Sequence, residues 1–341
     1  MQPDYTRPDH AELLAQMDIA LSRYGLARII DPVEVAGGTL NWNFRVETGQ
    51  GPVFARRVRS GAAAEQVARE HALLRWVAER GIPVACALED QQGHTVAQVD
   101  GALWTVSPWV EGRTPVRGAT SAHEANLLGA THGRIQALLA THPASADTAA
   151  FVLPQLTRDE LAARLLRIRE AAIQRGLADA VIAAIDEQSE LASQFFVDPG
   201  PRITASPLQF VHGDYHNQQV LVLEGQVAAV VDWEMARIQS RVHELVRSIA
   251  FSQLFADMQL IDAYLEGYGQ RMRLTEAECR EGVELWWLAQ LRNTWAYEAF
   301  LFEANDRVQA FFPALISDLR RLADASWRED LADRMVRATC G

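Results

Sequence analysis

Hydrophobic periodicity changes once along this 341-residue chain, and that change limits the folds open to it. Up to Pro108 the apolar residues fall mainly in short alternating runs: Val33–Val35, Phe44–Val46, Val53–Ala55, Thr95–Val99 and Leu103–Ser107. Alternation places every second side chain on one face, the pattern of half-buried strands. Gly49-Gln50-Gly51 reads as a hairpin turn, and two helices join these strands, over 10–24 and over 62–80, the second stopped by Gly81-Ile82-Pro83. After Pro108 the period becomes helical over 121–140, 157–175, 177–196, 255–270, 276–302 and 306–326. Only Leu208–Val211, Val220–Leu223 and Val227–Val231 interrupt it with strand-like runs, the last two joined as a hairpin across Glu224-Gly225-Gln226. The expected fold class is α+β in two lobes: a small β-rich lobe over 1–108 and a large, mainly helical lobe over 109–341.

Charge narrows the chemistry. All 32 basic residues are arginine, and no lysine occurs. A Schiff-base lysine, a lysine general base and a Walker P-loop are therefore excluded. Formal net charge is −12, with −3 in residues 1–108 and −9 in residues 109–341 by count of the printed residues. That balance argues against nonspecific binding to nucleic acid or anionic membranes, and it leans toward a neutral or amine-bearing small molecule as partner. Cys86, Cys279 and Cys340 are few and far apart, so a reducing cytoplasm is the expected setting. The first residues lack the apolar core of a signal peptide, and no apolar run reaches membrane-spanning length.

The densest chemistry lies in Phe210-Val211-His212-Gly213-Asp214-Tyr215-His216-Asn217-Gln218-Gln219-Val220-Leu221, followed by Val231-Asp232-Trp233-Glu234. Asp214 and Asp232 flank the hairpin, and its geometry is expected to bring both to one sheet edge. Phosphoryl transfer needs such a pair, one carboxylate for the attacking hydroxyl and one for a metal on the phosphates. His212 and His216 beside Asp214 also offer a zinc donor set, although a strand–loop junction does not put that spacing on one face as a helix would. No Gly-x-Ser-x-Gly elbow and no His-Glu-x-x-His occur.

His212-Gly213-Asp214 followed by Asp232-Trp233-Glu234 resembles the aminoglycoside phosphotransferase and choline kinase family, over about residues 25 to 320. The resemblance implies a protein-kinase-like fold, and an enzyme using ATP and Mg²⁺ to phosphorylate a small-molecule hydroxyl. Asp214 matches the family's catalytic aspartate and Asp232 its metal-binding aspartate. Gly37 and Gly38 match the loop that covers the phosphates. Arg56 stands where the family usually has a phosphate-gripping lysine; strand alternation sends Arg56 and Arg57 to opposite faces, and Glu70 matches the acid that holds the cation. Trp104–Gly112, with Ser107 and Trp109, resembles the adenine-binding hinge. The family's second metal ligand is an asparagine; here that position is Gln219, and Asn217 lies two residues earlier. Glu244 takes the place of an aspartate that braces the catalytic loop. Amino sugars, amino alcohols such as choline, homoserine and thiosugars are acceptors in the family.

Two other readings stay open. One is a nucleotide-binding regulatory pseudokinase, suggested by Gln219. The other is a protein kinase, against which stands the absence of His-Arg-Asp, Asp-Phe-Gly and Ala-Pro-Glu segments. Trp286, Trp287, Trp295 and Tyr297 are candidates for an acceptor wall, with Glu234, Arg292, Asn293, Glu298 and Asp306 as polar candidates beside them.

Overall fold

The computed structural model describes residues 9–35, 41–59, 61–146, 156–197 and 203–340. In chain order the amino-terminal elements are α1 (His10–Arg23), β1 (Val33–Glu34), β2 (Trp42–Thr48), β3 (Gly51–Arg57), α2 (Ala64–Ala78), β4 (Ala97–Val99) and β5 (Ala102–Pro108). There follow α3 (Ala122–Leu139), α4 (Arg158–Gln174), α5 (Asp179–Phe195), β6 (Leu208–Val211), β7 (Val220–Leu223), β8 (Gln226–Val230) and β9 (Arg237–Ser240). Helices α6 (Arg241–Phe251), α7 (Met258–Gly269), α8 (Glu276–Arg292), α9 (Trp295–Phe302), α10 (Phe312–Ala323) and α11 (Ala325–Thr339) complete the chain. It divides into two compact units: Met1–Arg113 with Leu221–Leu223 and Val227–Glu234, and the remainder.

The first unit is built on a five-stranded antiparallel sheet in the order β1-β2-β3-β5-β4. Leu13, Met17 and Leu21 recur along one face of α1 and pack with Phe44, Val46, Val53, Trp104 and Val106 from the sheet. Val67 of α2 packs with Val58 and Leu103. The strands of the β7–β8 hairpin group with this unit because its backbone is bonded there. Arg113 and Val222 exchange N–H···O=C bonds of 2.9 and 2.8 Å, and Val230 N–H donates to the Pro83 carbonyl at 2.8 Å.

In the second unit, α3 and α7 cross with their backbones almost touching. A Cβ on Gly129 would run into the Tyr264 carbonyl, and one on Gly267 into the Asn126 carbonyl. Small residues at a crossing let two helices approach this closely, and here they bring the buried polar residues of α3 under the chain that follows β6. Leu161, Leu165, Ile168, Ile185, Tyr297, Phe300 and Phe312 form a second core among α4, α5, α9 and α10.

Several expectations need correction. The helical pattern over 276–302 is two helices, α8 and α9, broken at Asn293-Thr294. Gln188 on α5 explains the break: its Nε2 donates to the carbonyls of Gln290, Leu291 and Asn293 at 3.4, 3.2 and 3.1 Å, satisfying groups that a continuous helix would pair internally. The pattern over 306–326 is likewise a 3₁₀ turn (Asp306–Phe311), α10 and the start of α11. Beyond Asp232, where periodicity suggested no element before 255, the chain forms β9 and α6. Strand β6 pairs with β9 and not with the hairpin, so Asp214 and Asp232 follow strands of two separate sheets instead of one edge. Among the described residues, no helix is long and apolar enough to cross a membrane.

Candidate active site

In the first unit, side chains gather around Arg56. Strand alternation splits the two arginines as the sequence suggests: Arg57 Nε donates to Gln16 on one face at 3.2 Å, while Arg56 turns to the other. There Arg56 Nη1 lies 3.6 Å from Glu70 of α2, and Nη2 lies 3.7 Å from Asp232 beyond the hairpin. Asn41 ties this cluster together. Its Nδ2 donates to Glu234 at 3.0 Å and its Oδ1 accepts from Arg59 N–H at 2.9 Å. Asp232 adopts φ of +63°, a left-handed conformation that aspartate tolerates better than most residues and that clusters at functional sites.

One guanidinium cannot neutralise three carboxylates. Burial opposes the charge of Arg56, yet Asp232, Glu70 and Glu234 together outweigh it and hold its pKa above the ordinary arginine value. The surplus appears at Glu70. Burial, with Glu234 and Asp232 as like charges, pushes its carboxyl up to about 7 despite the attraction of Arg56.

Ser107 and Trp109 lie at the end of β5, where Ser107 stands opposite Phe54 in the register. Trp109 N–H donates to the Pro52 carbonyl at 3.2 Å, and its ring carries the Arg45 guanidinium 5.1 Å from the ring centroid. Gly37 and Gly38 lie outside the described residues.

In the second unit, the chain after β6 is fixed from below. Gly213 has φ of +84°, and a Cβ there would collide with the Met235 carbonyl, so the position requires glycine twice over. Glu244, fully buried on α6, accepts from Gly213 N–H at 2.5 Å. Its other oxygen accepts from Gln136 Nε2 at 2.9 Å and lies 3.2 Å from His132 Nε2. Burial alone would raise the Glu244 carboxyl; His132, His212 and Gln136 outweigh it and hold the pKa near 2. His132 stacks on Tyr215, 4.4 Å between centroids, and Tyr215 Oη donates to the Leu128 carbonyl at 2.9 Å. His212 closes the turn by accepting Asp214 N–H at its Nδ1, 3.3 Å away.

Asp214 emerges from this platform about three-quarters buried, with its side chain 24% exposed. Arg247, one helical turn beyond Glu244 on α6, is ion-paired with its Oδ1. Glu244 and Arg247, three residues apart, therefore grip the same loop from one helix face. Gln219 Nε2 donates to Asp214 Oδ2 at 3.3 Å, and His216 Nε2 lies 3.9 Å from that oxygen. Burial would raise Asp214, but Arg247, His216 and His212 reverse the sign and keep its carboxyl below the usual aspartate value. Asn217 is fully buried, with N–H donating to Ser252 Oγ at 3.0 Å and Nδ2 to the Pro115 carbonyl at 3.1 Å. Its Oδ1 is buried without a hydrogen-bond partner.

Sequence reasoning did not single out Asn41, Arg117 or Arg247. The signal for Arg247 is its i,i+3 spacing from Glu244, visible only once 241–251 is known to be helical. Other candidates have structural work. Trp286, Trp287 and Tyr297 are buried, whereas Trp295 is 43% exposed. Arg292 donates to the carbonyls of Leu288 and Val197, both at 2.8 Å. Glu298 pairs with Arg164 and Arg167 at 3.4 and 3.2 Å.

The phosphotransferase enzyme family model matches residues 32–286. No protein of curated function matches the sequence significantly. Among solved structures, the chain is similar to a microcompartment-associated aminopropanol kinase, with 16% identity over 96% of this chain and 100% of that one, TM-score 0.65. An aminoglycoside phosphotransferase from Alicyclobacillus acidocaldarius is 17% identical over 92% of this chain and 96% of its own, TM-score 0.61. Aminoglycoside 2'-phosphotransferase-IIIa is 13% identical over 92% and 99%, TM-score 0.60. These likenesses are of fold, the protein-kinase-like fold. With three-quarters of its length matched by the family model, this chain belongs to the phosphotransferase enzyme family, enzymes that phosphorylate hydroxyl groups of small molecules.

Proposed function

We propose that the enzyme transfers the γ-phosphoryl group of Mg²⁺-ATP to a hydroxyl of a small molecule. The observation that carries this is Arg56 held between Glu70 and Asp232, a phosphate-gripping cation tied to a helix acid and to the candidate metal aspartate. Arginine serves where lysine is absent because its planar fork meets phosphate oxygens well. The backbone around Ser107 and Trp109 would receive the adenine. Solved relatives support a nucleotide and a divalent ion: amicoumacin kinase was seen with AMP-PNP and Ca²⁺, and a spectinomycin phosphotransferase with ADP.

The donor set fits a divalent cation. Three carboxylates answer one guanidinium around Asp232, and the buried Asn217 Oδ1 lacks a partner. Asp232 would supply a carboxylate to the ion, and Gln219 or Asn217 an amide oxygen. Among the described residues no three His, Cys, Asp or Glu side chains form a ready metal site, so phosphate oxygens and water would complete the shell, as Mg²⁺ prefers. When bound, the ion would neutralise charge on the phosphates.

Asp214 would orient the acceptor hydroxyl and accept its proton. The acceptor O–P bond forms, the bond from the γ-phosphorus to the bridging oxygen breaks, and ADP leaves; the proton passes from Asp214 to solvent. A carboxylate of lowered pKa suits this step, because in a loose transition state the proton moves late and positioning outweighs basicity. ADP release should be measured with Mg²⁺-ATP and a panel of amino alcohols, hydroxy acids, sugars and aminoglycosides. The expected result is turnover of one class, lost by about a thousandfold or more in Asp214→Asn. Undiminished turnover in that variant would remove Asp214 from its role.

A further inference from the structure

The helical unit and its catalytic loop have opposite electrostatic character. Residues 109–341 carry nine more acids than arginines, yet the side chains around Asp214 are dominated by guanidinium groups. Arg247 spends Nη2 on Asp214 and lays its guanidinium 4.2 Å over the Phe251 ring; its Nη1 is buried without a hydrogen-bond partner. Arg117 lies 5.0 Å over the Phe311 ring, its Nε is buried and unpartnered, and no carboxylate among the described residues is ion-paired with it. Among the described residues, the Arg237 side chain makes a single long bond, 3.4 Å, to the Met235 carbonyl.

Asn217 Nδ2 donates to the Pro115 carbonyl at 3.1 Å, which brings the Arg117 segment against the Asp214 loop; burial lowers the pKa of Arg117 and Arg237, Arg247 adds to that, and Asp214 opposes it. Against these three cations stand two carboxylates, Asp214 and Glu244, and Glu244 is committed to Gly213, Gln136 and His132. Burial holds the neighbouring His243 neutral, with a pKa of about 3. The loop therefore carries an excess of positive charge and two buried guanidinium donors with nothing to bond. Such donors are costly to leave unmet, and a carboxylate or phosphate satisfies them.

We propose that Arg117 and Arg247 form an anion seat for the acceptor, so that the substrate carries a carboxylate or phosphate in addition to the hydroxyl that is phosphorylated. A hydroxy acid, a hydroxy amino acid or a sugar phosphate has this chemistry. This rests on the assignment of Asp214 as the residue that orients the acceptor. It reverses the lean toward amine-bearing acceptors that total charge suggests, because the local field at the loop, not the sum over the unit, meets the ligand. It also gives Arg247 two alternating partners. With no acceptor it neutralises Asp214; an acceptor anion that takes the guanidinium leaves Asp214 free for the hydroxyl.

Thermal denaturation with D-glycerate, 3-phosphoglycerate or glycerol, at fixed ionic strength and with saturating Mg²⁺-AMP-PNP, tests the seat. At least one of the two anions should raise the melting temperature by about 2 °C or more, with glycerol inert. Arg117→Gln should bring that shift below about half of its wild-type size. No shift with either anion, or an equal shift in Arg117→Gln, overturns the proposal. So does a shift that appears only without nucleotide, since the seat would then serve the transferring phosphoryl group. Arg247→Gln should behave like Arg117→Gln; if it does not fold, Arg117→Gln decides alone. Mg²⁺-AMP-PNP by itself must also stabilise the protein; if it does not, the nucleotide reading fails, and the anion comparison without nucleotide still stands or falls on Arg117.

Discussion

Asp214 is the residue proposed to orient the acceptor hydroxyl, and its loop is held by Glu244. A buried carboxylate that accepts Gly213 N–H and is bonded by Gln136 and His132 converts the loop into a fixed platform. Glu244→Ala would leave those donors buried and unmet. The expected loss is about 3 kcal/mol in urea denaturation, with turnover falling further than stability alone explains. Full stability in that variant would show that the loop holds itself. Much of this site was legible in the sequence. Asp214 and Asp232 stand out by residue type and spacing, Arg56, Glu70 and Glu244 only through the family resemblance, and the structure brings Arg56 to both Glu70 and Asp232. What spacing could not reveal was Arg247, because nothing in a linear pattern says that α6 begins immediately after a four-residue strand.

At the scale of elements, helices with a clean amphipathic period were readable to within a few residues, as α2 and α4 show. The sequence failed where a side chain from elsewhere overrides local pattern. Nothing in 276–302 announces a break, since Gln188, roughly a hundred positions upstream, supplies the donor that makes it tolerable. Helix α10 holds a further long-range effect. Burial pushes the Asp318 carboxyl up to about 7, against the pull of Arg321 at 3.5 Å. A folded-state pKa above the unfolded value means that the native state binds the proton more tightly. Stability from this group is full at low pH and is lost as pH rises toward 7. Asp318→Asn should therefore match the wild type near pH 4 and exceed it at pH 8 by about 1–3 kcal/mol in chemical denaturation. Equal stability at both pH values would mean that the carboxylate is solvated when charged.

For the whole molecule, the two-part character was visible in the single change of periodicity, and the absence of lysine leaves arginine as the cation for the phosphates, the role proposed for Arg56. Whole-chain charge was a poorer guide. A sum of −12 describes the average surface, whereas Asp214 is ion-paired with Arg247 and interacts electrostatically with Arg117 and Arg237. Sequence counts cannot separate these, because burial and proximity decide which charges act on a ligand. In the proposed reaction the Arg56–Glu70–Asp232 cluster receives Mg²⁺-ATP while Asp214 serves the acceptor. Calorimetric titration of Mg²⁺-ATP into the wild type, Asp214→Asn and Asp232→Asn separates the two roles. Asp214→Asn should bind within about threefold of wild type, while Asp232→Asn should lose about tenfold or more of its Mg²⁺-dependent affinity. Wild-type affinity in Asp232→Asn would contradict this assignment.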